Sequence, residues 1–211
     1  MKLSNGMSTT KTIPSDLTLQ TNRVILRPIS ENDFDDLREL ALEEEIWKYF
    51  PFNLAQKQHF QKWMDTALAE KQARTRLPFI VMVKETGQIA GSMSLMNISY
   101  HDLRLEIGNS WLGKNFRSTE VNRHAKYAMM RYCFEELNCE RVEFKTDVLN
   151  ERAKQGLRKI GGTEEGVLRS HMTMWNNRRR DSVYFSVIKK EWFSLKESIF
   201  REIEGFAFTE V

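Results

Sequence analysis

The chain has 211 residues, of which 41% are hydrophobic and 29% charged, and it carries a net charge of +3. This balance suits one globular domain with a real core, or one domain plus ordered tails, and excludes a disordered chain. No apolar run approaches the ~18 residues of a membrane span, and so small a positive excess does not by itself argue for nucleic acid.

In chain order, residues 1–16 (MKLSNGMSTTKTIPSD) are polar, contain Gly6 and Pro14, and read as a flexible arm without an apolar signal core. Residues 17–29 (LTLQTNRVILRPI) hold a β-rich run ended by Pro28. Ser30 to Asp33 then cap a helix with Phe34, Leu37, Leu40 and Ala41 as its apolar stripe. The stretch IWKYFPF, Ile46 to Phe52, is dense in aromatics and broken by Pro51. Its residues Trp47, Tyr49 and Phe52 either pack a corner between helices or contact a substrate. A second helix is expected at about 54–71, with Phe60, Trp63, Met64, Ala67 and Leu68 on one side.

Three strands follow, at 79–84, 88–98 and 104–112. Gly87 lies in the first turn between them, where a positive φ is tolerated. In the third strand Leu103, Leu105 and Ile107 alternate with Arg104 and Glu106, which predicts one buried face. Gly113-Lys114-Asn115 breaks the pattern, and Ser118 and Thr119 offer hydroxyl caps for a long helix. Val121, Ala125, Ala128, Met129, Tyr132, Cys133 and Leu137 recur there at helical spacing. A polar turn opening a helix aims backbone N–H groups and a positive helix end at one spot, which suits an anion such as a phosphate.

RVEFKTD, Arg141 to Asp147, reads as a strand, and a short helix from Glu151 to Ile160 ends at Gly161-Gly162. Two last strands, about 167–174 and 182–189, flank the polar tip Trp175 to Arg180. Residues 193–211 form an extension, with Phe193, Leu195, Ile199 and Ile203 able to add a helix. Antiparallel strands followed by strand–helix–strand predict an α/β fold with a mixed sheet and helices on both faces. The four histidines show no metal-ligand spacing, there is no HExxH or CxxC, and no G-x-S-x-G elbow occurs. No metal is expected. Cys133 and Cys139 are expected as reduced thiols of a cytoplasmic protein.

The order strand, W-L-x-x-x-F, then Arg117-Ser118-Thr119-Glu120-Val121-Asn122 opening a helix resembles the acetyl-CoA loop of the GNAT N-acetyltransferases, in their RimJ/RimL-like branch. The resemblance covers about 17–192, including LRP near its start and RRRDSVYFSV near its end. It departs from the family where Glu120 replaces a glycine and Asn122 a small residue. It implies a GNAT-like fold with a mostly antiparallel twisted sheet, and direct acetyl transfer from acetyl-CoA to a primary amine, either a protein N-terminus or a small molecule. The loop Arg117 to Asn122, with Arg123, would bind acetyl-CoA; the alternative is an ordinary capped surface helix.

The resemblance further implies a splay after Glu106, where backbone N–H groups of Ser110, Trp111 and Leu112 hold the thioester carbonyl. Glu106 would handle the amine proton; its alternative is a cross-strand salt bridge. Asn150 matches an Asn that touches the coenzyme A arm, and is equally explained as a helix cap. Ala153 stands where the family often has a serine, so the proton donor to the thiolate is open, with Tyr184 a stand-in or a core residue. Two further readings remain. One is a degenerate relative that binds but does not catalyse. The other is a ribosome- or RNA-associated module using Arg178 to Arg180. Monomer and homodimer are both compatible.

Overall fold

The computed structural model describes residues 12–203. β1 (Leu19–Gln20) and β2 (Val24–Pro28) open the sheet. Ser30 and Asp33 form a capping box at a 3-10 turn, and α1 (Phe34–Leu40) follows. A second 3-10 segment, Glu44–Tyr49, leads to α2 (Lys57–Gln72). Then come β3 (Leu77–Val83), β4 (Ile89–Ser99) and β5 (Arg104–Leu112). α3 (Val121–Arg131) continues into a π-helical turn, Tyr132–Glu136. β6 (Arg141–Asp147), α4 (Glu151–Lys159), β7 (Thr163–Thr173), β8 (Arg179–Ile188) and α5 (Lys189–Ser198) complete the order.

The strands form one eight-stranded sheet in the order β1-β2-β3-β4-β5-β6-β8-β7. All neighbours are antiparallel except β5 and β6, which α3 joins as a crossover. Helices cover both faces, as the alternation of strands and helices predicts. On one face Leu105, Ile107, Val142 and Phe144 pack with Ala125 and Met129 of α3 and with Trp192 of α5. On the other, Ile80 and Trp111 pack with Leu37 of α1 and with Phe60 and Trp63 of α2.

β5 corrects the expectation of one buried face. Leu105, Glu106 and Ile107 are all buried, with Glu106 only 2% exposed. A central strand between two helical layers has no solvent side, so a charged residue in the alternation marks a special position rather than an outer face. β4 and β5 also approach closely. A Cβ on Gly91, at φ +153°, would stand 2.1 Å from the Trp111 carbonyl oxygen. Glycine is required there.

The N-terminal boundary at 16 runs through a packed segment, because Ile13 is buried in the larger core. The C-terminal helix starts at Lys189, before the expected boundary at 193, and Phe200 and Ile203 are buried beyond it. The rest of both expected tails, residues 1–11 and 204–211, lies outside the described residues. Cys133 and Cys139 are free and buried. No helix among the described residues is long and apolar enough to cross a membrane.

The three arginines of the tip differ in their surroundings. Arg178 pairs with Asp147, whose side chain is fully buried. Arg179 turns back on its own hairpin, donating to Thr173 Oγ1 at 2.6 Å. Arg180 is 5% exposed and donates to the Tyr49 carbonyl at 3.3 Å. Arg178 and Arg180 tie the β7–β8 hairpin to the body, while Arg179 stays exposed. Local sequence showed three adjacent cations; the buried acceptors come from distant segments.

Candidate active site

β5 and β6 pair only at Arg104, Leu105 and Glu106, opposite Arg141, Val142 and Glu143. β5 runs on to Leu112 and β6 to Asp147, so beyond Glu106 the two strands diverge. Two features help to open them. Asn109 takes φ +47°, and the register with β4 slips between Ser92 and Ser94. The extra residue is a bulge, which bends the strand that carries it. From Ile107 onward the edge of β5 that faces β6 has no strand partner. The inferred splay therefore has a definite place, and Ser110, Trp111 and Leu112 lie along it. Trp111 itself turns its ring into the core, 5.2 Å from the ring of Trp47.

The loop before α3 lies close to this opening in sequence. Thr119 Oγ1 accepts from the Val121 N–H at 3.3 Å and donates to the Phe116 carbonyl at 2.8 Å, which is the expected hydroxyl contact at the helix start. Ser118 has φ +59° and turns the chain. Glu120 is the N-cap residue, and its carbonyl takes the first helical bond from His124 N–H. The N–H groups of the preceding turn therefore have no intrahelical acceptor. Arg117 donates Nε–H to the Leu112 carbonyl at 2.9 Å, fixing the loop on the end of β5. Its Nη2 is buried without a hydrogen-bond partner. Burial first, then the charge of Arg152 on α4, holds this guanidinium below its ordinary value. Glu43 Oε2 lies 4.0 Å from that Nη2, a long ion pair that leaves the donor without a hydrogen bond, and Arg117 and Arg152 still repel each other, so an anion between the two cations would be held by both. A diphosphate fits that donor set. Arg152 was not singled out from sequence, because its neighbour across the site is thirty-five residues away.

Glu106 stands at the point of divergence. Its Oε2 accepts from Lys145 Nζ at 3.0 Å and from Asn97 Nδ2 at 2.8 Å. The cross-strand salt bridge weighed from sequence is thus present. It does not use the whole carboxylate. Oε1 lies against Gly108, where a Cβ would approach it to 2.6 Å. Tyr184 sits opposite Lys145 in the β6–β8 register and so shares its side of the sheet, with the His171 ring 5.9 Å away. Burial first, then Lys145 and Arg180, holds His171 below the ordinary imidazole value.

A fourth charged group was missed altogether. Lys126 on α3 is 5% exposed and donates to Ser110 Oγ at 2.8 Å. Burial pushes it down to about 7, against the opposing pull of Glu106. Its place on the apolar stripe of α3 was its one sequence signal, since a lysine there must be buried with the rest of the stripe.

Comparison with known proteins decides the family. The acetyltransferase (GNAT) domain description matches residues 23–163. The chain belongs to the GNAT acetyltransferases. "Uncharacterized N-acetyltransferase p20" of Bacillus licheniformis is 30% identical over 83% of this chain and 98% of its own length. "Putative ribosomal N-acetyltransferase YdaF" of Bacillus subtilis is 34% identical over 50% of this chain; the match spans 57% of that relative. A GCN5-related N-acetyltransferase from Brucella melitensis has the same fold, with a TM-score of 0.82 and 25% identity over 93% of this chain and 90% of its own. The relatives agree with the expected RimJ/RimL-like branch, and RimJ of Mycobacterium smegmatis shares the fold with a TM-score of 0.71 at 19% identity, over 83% of this chain and 88% of its own.

Within this GNAT enzyme the expected site residues separate into two groups. Arg117, Thr119 and Glu120 gather at the α3 start and Glu106 lies beside the opening, whereas Arg123 turns its guanidinium to the Ile199 carbonyl and to Glu120 and Glu202. Asn150 is the α4 cap, its Oδ1 accepting from the Ala153 N–H at 3.1 Å, so the capping explanation holds. Trp47 is fully buried and donates Nε1–H to the Ala41 carbonyl at 2.9 Å; it is core and not an acceptor wall. Tyr49 and Phe52 are half-buried and stay available to an acceptor. Tyr49→Ala is expected to cost only about 1–2 kcal/mol of stability, below the ~3–5 kcal/mol of a fully buried aromatic. Its effect should fall on acceptor KM, which thermal melts beside kinetics will separate.

Proposed function

We propose that this enzyme transfers acetyl from acetyl-CoA directly to a primary amine, either a protein N-terminus or a small molecule. The observation that carries the reading is the divergence of β5 and β6 immediately after a buried carboxylate, next to an anion-seeking loop. Arg117, Arg152 and the free N–H groups at the α3 start would hold the diphosphate. The unpaired edge from Ile107 to Leu112 would supply N–H groups for the thioester oxygen, where negative charge develops. Glu106, through Oε1, would take the proton of the attacking amine. The hairpin of β7 and β8, anchored to Tyr49 by Arg180, would close the acceptor side. The buried free thiols of Cys133 and Cys139 support a cytoplasmic setting.

The test is release of free coenzyme A thiol with a panel of N-terminal peptides and small amines. Amine-dependent thiol release, with one acetyl group gained by the amine, is the expected result. No thiol release with any amine, from folded protein that binds acetyl-CoA, would instead favour the non-catalytic binding protein.

Glu120 sets the loop apart from a glycine-containing one. Its carboxylate pairs with Arg123 at 2.9 Å and is half exposed. That pairing draws the negative charge aside, toward the C-terminal segment that Arg123 also contacts. Glu120→Gly is expected to tighten acetyl-CoA binding by about threefold, a modest gain because the pair is solvent-screened. Calorimetric titration of both proteins reads it, and equal affinities would mean that Glu120 stays clear of the ligand.

A further inference from the structure

The proposed transfer leaves one proton without a donor. When the C–S bond breaks, the electron pair goes to sulfur, and the thiolate needs a proton. Ala153 has no hydroxyl to give it, and Tyr184 lies with Lys145 on the side of the sheet away from α3. Lys126 occupies the other side. Its Nζ donates to Ser110 on β5 and stands 5.2 Å from the ring centre of Phe144 on β6. It therefore spans the two strands where they part. No carboxylate among the described residues lies within ion-pair distance of it. A buried lysine without an ion-pair partner is costly and adds nothing to packing that a methionine would not.

We propose that Lys126 is a catalytic residue: from inside the opening between β5 and β6 it protonates the coenzyme A sulfur as the thiolate leaves. The inference rests on the acetyl transfer proposed above. The amine nitrogen forms the new C–N bond as the C–S bond breaks. The amine proton passes to Glu106, and an Nζ proton passes to sulfur. Glu106 then releases its proton to solvent and Lys126 takes one back, so the enzyme is restored. Ser110 accepts from Nζ and aims it along the unpaired edge of β5. An amine whose proton affinity lies near neutrality both holds and gives up a proton at working pH, which an ordinary lysine does poorly. The chemistry of Lys126 is therefore built by its burial.

The ionisable groups of the packed elements are Arg104 and Glu106 on β5, Arg141, Glu143, Lys145 and Asp147 on β6, Arg123, His124, Tyr127 and Arg131 on α3 itself, and Glu151, Arg152, Lys154, Arg158 and Lys159 on α4. Of these, Glu106 is the one whose charge favours the ammonium form. The folded value is lowered, so between about pH 7 and the unfolded lysine value of about 10.4 the unfolded chain binds more protons. Stability from this site is thus gained as pH rises through that window and lost below it.

The experiment compares the full chain with Lys126→Met and Lys126→Arg, using acetyl-CoA and an amine that the wild type accepts. Both variants are expected to lower kcat by about 10²–10³, with acetyl-CoA affinity within about threefold. The wild-type kcat should fall as pH rises past the Lys126 value, and that falling limb should vanish in Lys126→Met. Arginine keeps the charge but cannot release its proton, so a fast Lys126→Arg would overturn proton donation. An unaltered rate in Lys126→Met, or an unaltered falling limb, would overturn the proposal and leave acetyl transfer standing. Absence of turnover in the wild type would overturn the transfer reading and this role with it. Melting temperature gives an independent readout. Lys126→Met should exceed the wild type at about pH 6 and keep less than half of that advantage by about pH 9; an advantage that does not change with pH would deny that the amine is buried as a titrating group.

Discussion

Glu106→Gln is expected to lower kcat by about 10²–10⁴ while acetyl-CoA affinity changes little, because a general base acts in the transition state and not in binding of the donor. The amide keeps the shape of the side chain and can still accept from Lys145 or Asn97. It cannot take the amine proton. Glu106 also has a structural duty, since it is buried and bonded at Oε2. The two roles separate with Lys145→Met, which removes the ion pair and keeps the carboxylate. Lys145 is 19% exposed, against 3% for the Glu106 side chain, so the cost falls mainly on the carboxylate left without its cation. Steady-state kinetics with thermal melts decide between the roles. A near-wild-type kcat in Glu106→Gln, with a lowered melting temperature in both variants, would return Glu106 to a purely structural place.

Arg178→Ala is expected to destabilise the fold by about 3–5 kcal/mol, the cost of leaving a buried carboxylate without its cation. Asp147 is fully buried; it also accepts from the Leu149 N–H at 3.0 Å, and the charge of Arg180 acts on it without a hydrogen bond. Asp147 ends β6 just before the α4 cap, so the loss should loosen the side of the opening that carries Arg152. The double variant Arg178→Met with Asp147→Leu removes both charges and should recover most of the stability. Denaturant unfolding checks both. An Arg178→Ala protein of unaltered stability would mean that the pair is wet, and would make the arginine tip a surface again.

The sheet, its single parallel pair and the crossover helix follow from local patterns. Alternation and turn residues mark each strand, and the apolar stripe of α3 has one helical face. The loop Arg117 to Asn122 was legible for the same reason, since a turn and the helix it opens are contiguous. What stayed hidden depends on distance in the chain. The partners of Arg178 and Arg180 come from β6 and from the segment before α2. Lys126 acts on Ser110, sixteen residues before it, and on Phe144, eighteen residues after it. Arg152 meets Arg117 only because two helices start at the same end of the sheet. The alternation in β5 misled because Glu106 is buried as fully as its apolar neighbours, while Arg104 at the strand's start is not. A period of two says which residues share a side and not whether that side is wet.

The most direct measurement is a crystal structure of the full chain with coenzyme A. The diphosphate is expected on the N–H groups before α3, in contact with Arg117 and Arg152. The sulfur is expected in the opening between β5 and β6, with Lys126 Nζ on one side and Glu106 on the other. A coenzyme A bound elsewhere, or one that reaches the loop while its sulfur stays outside the opening, would contradict that placement.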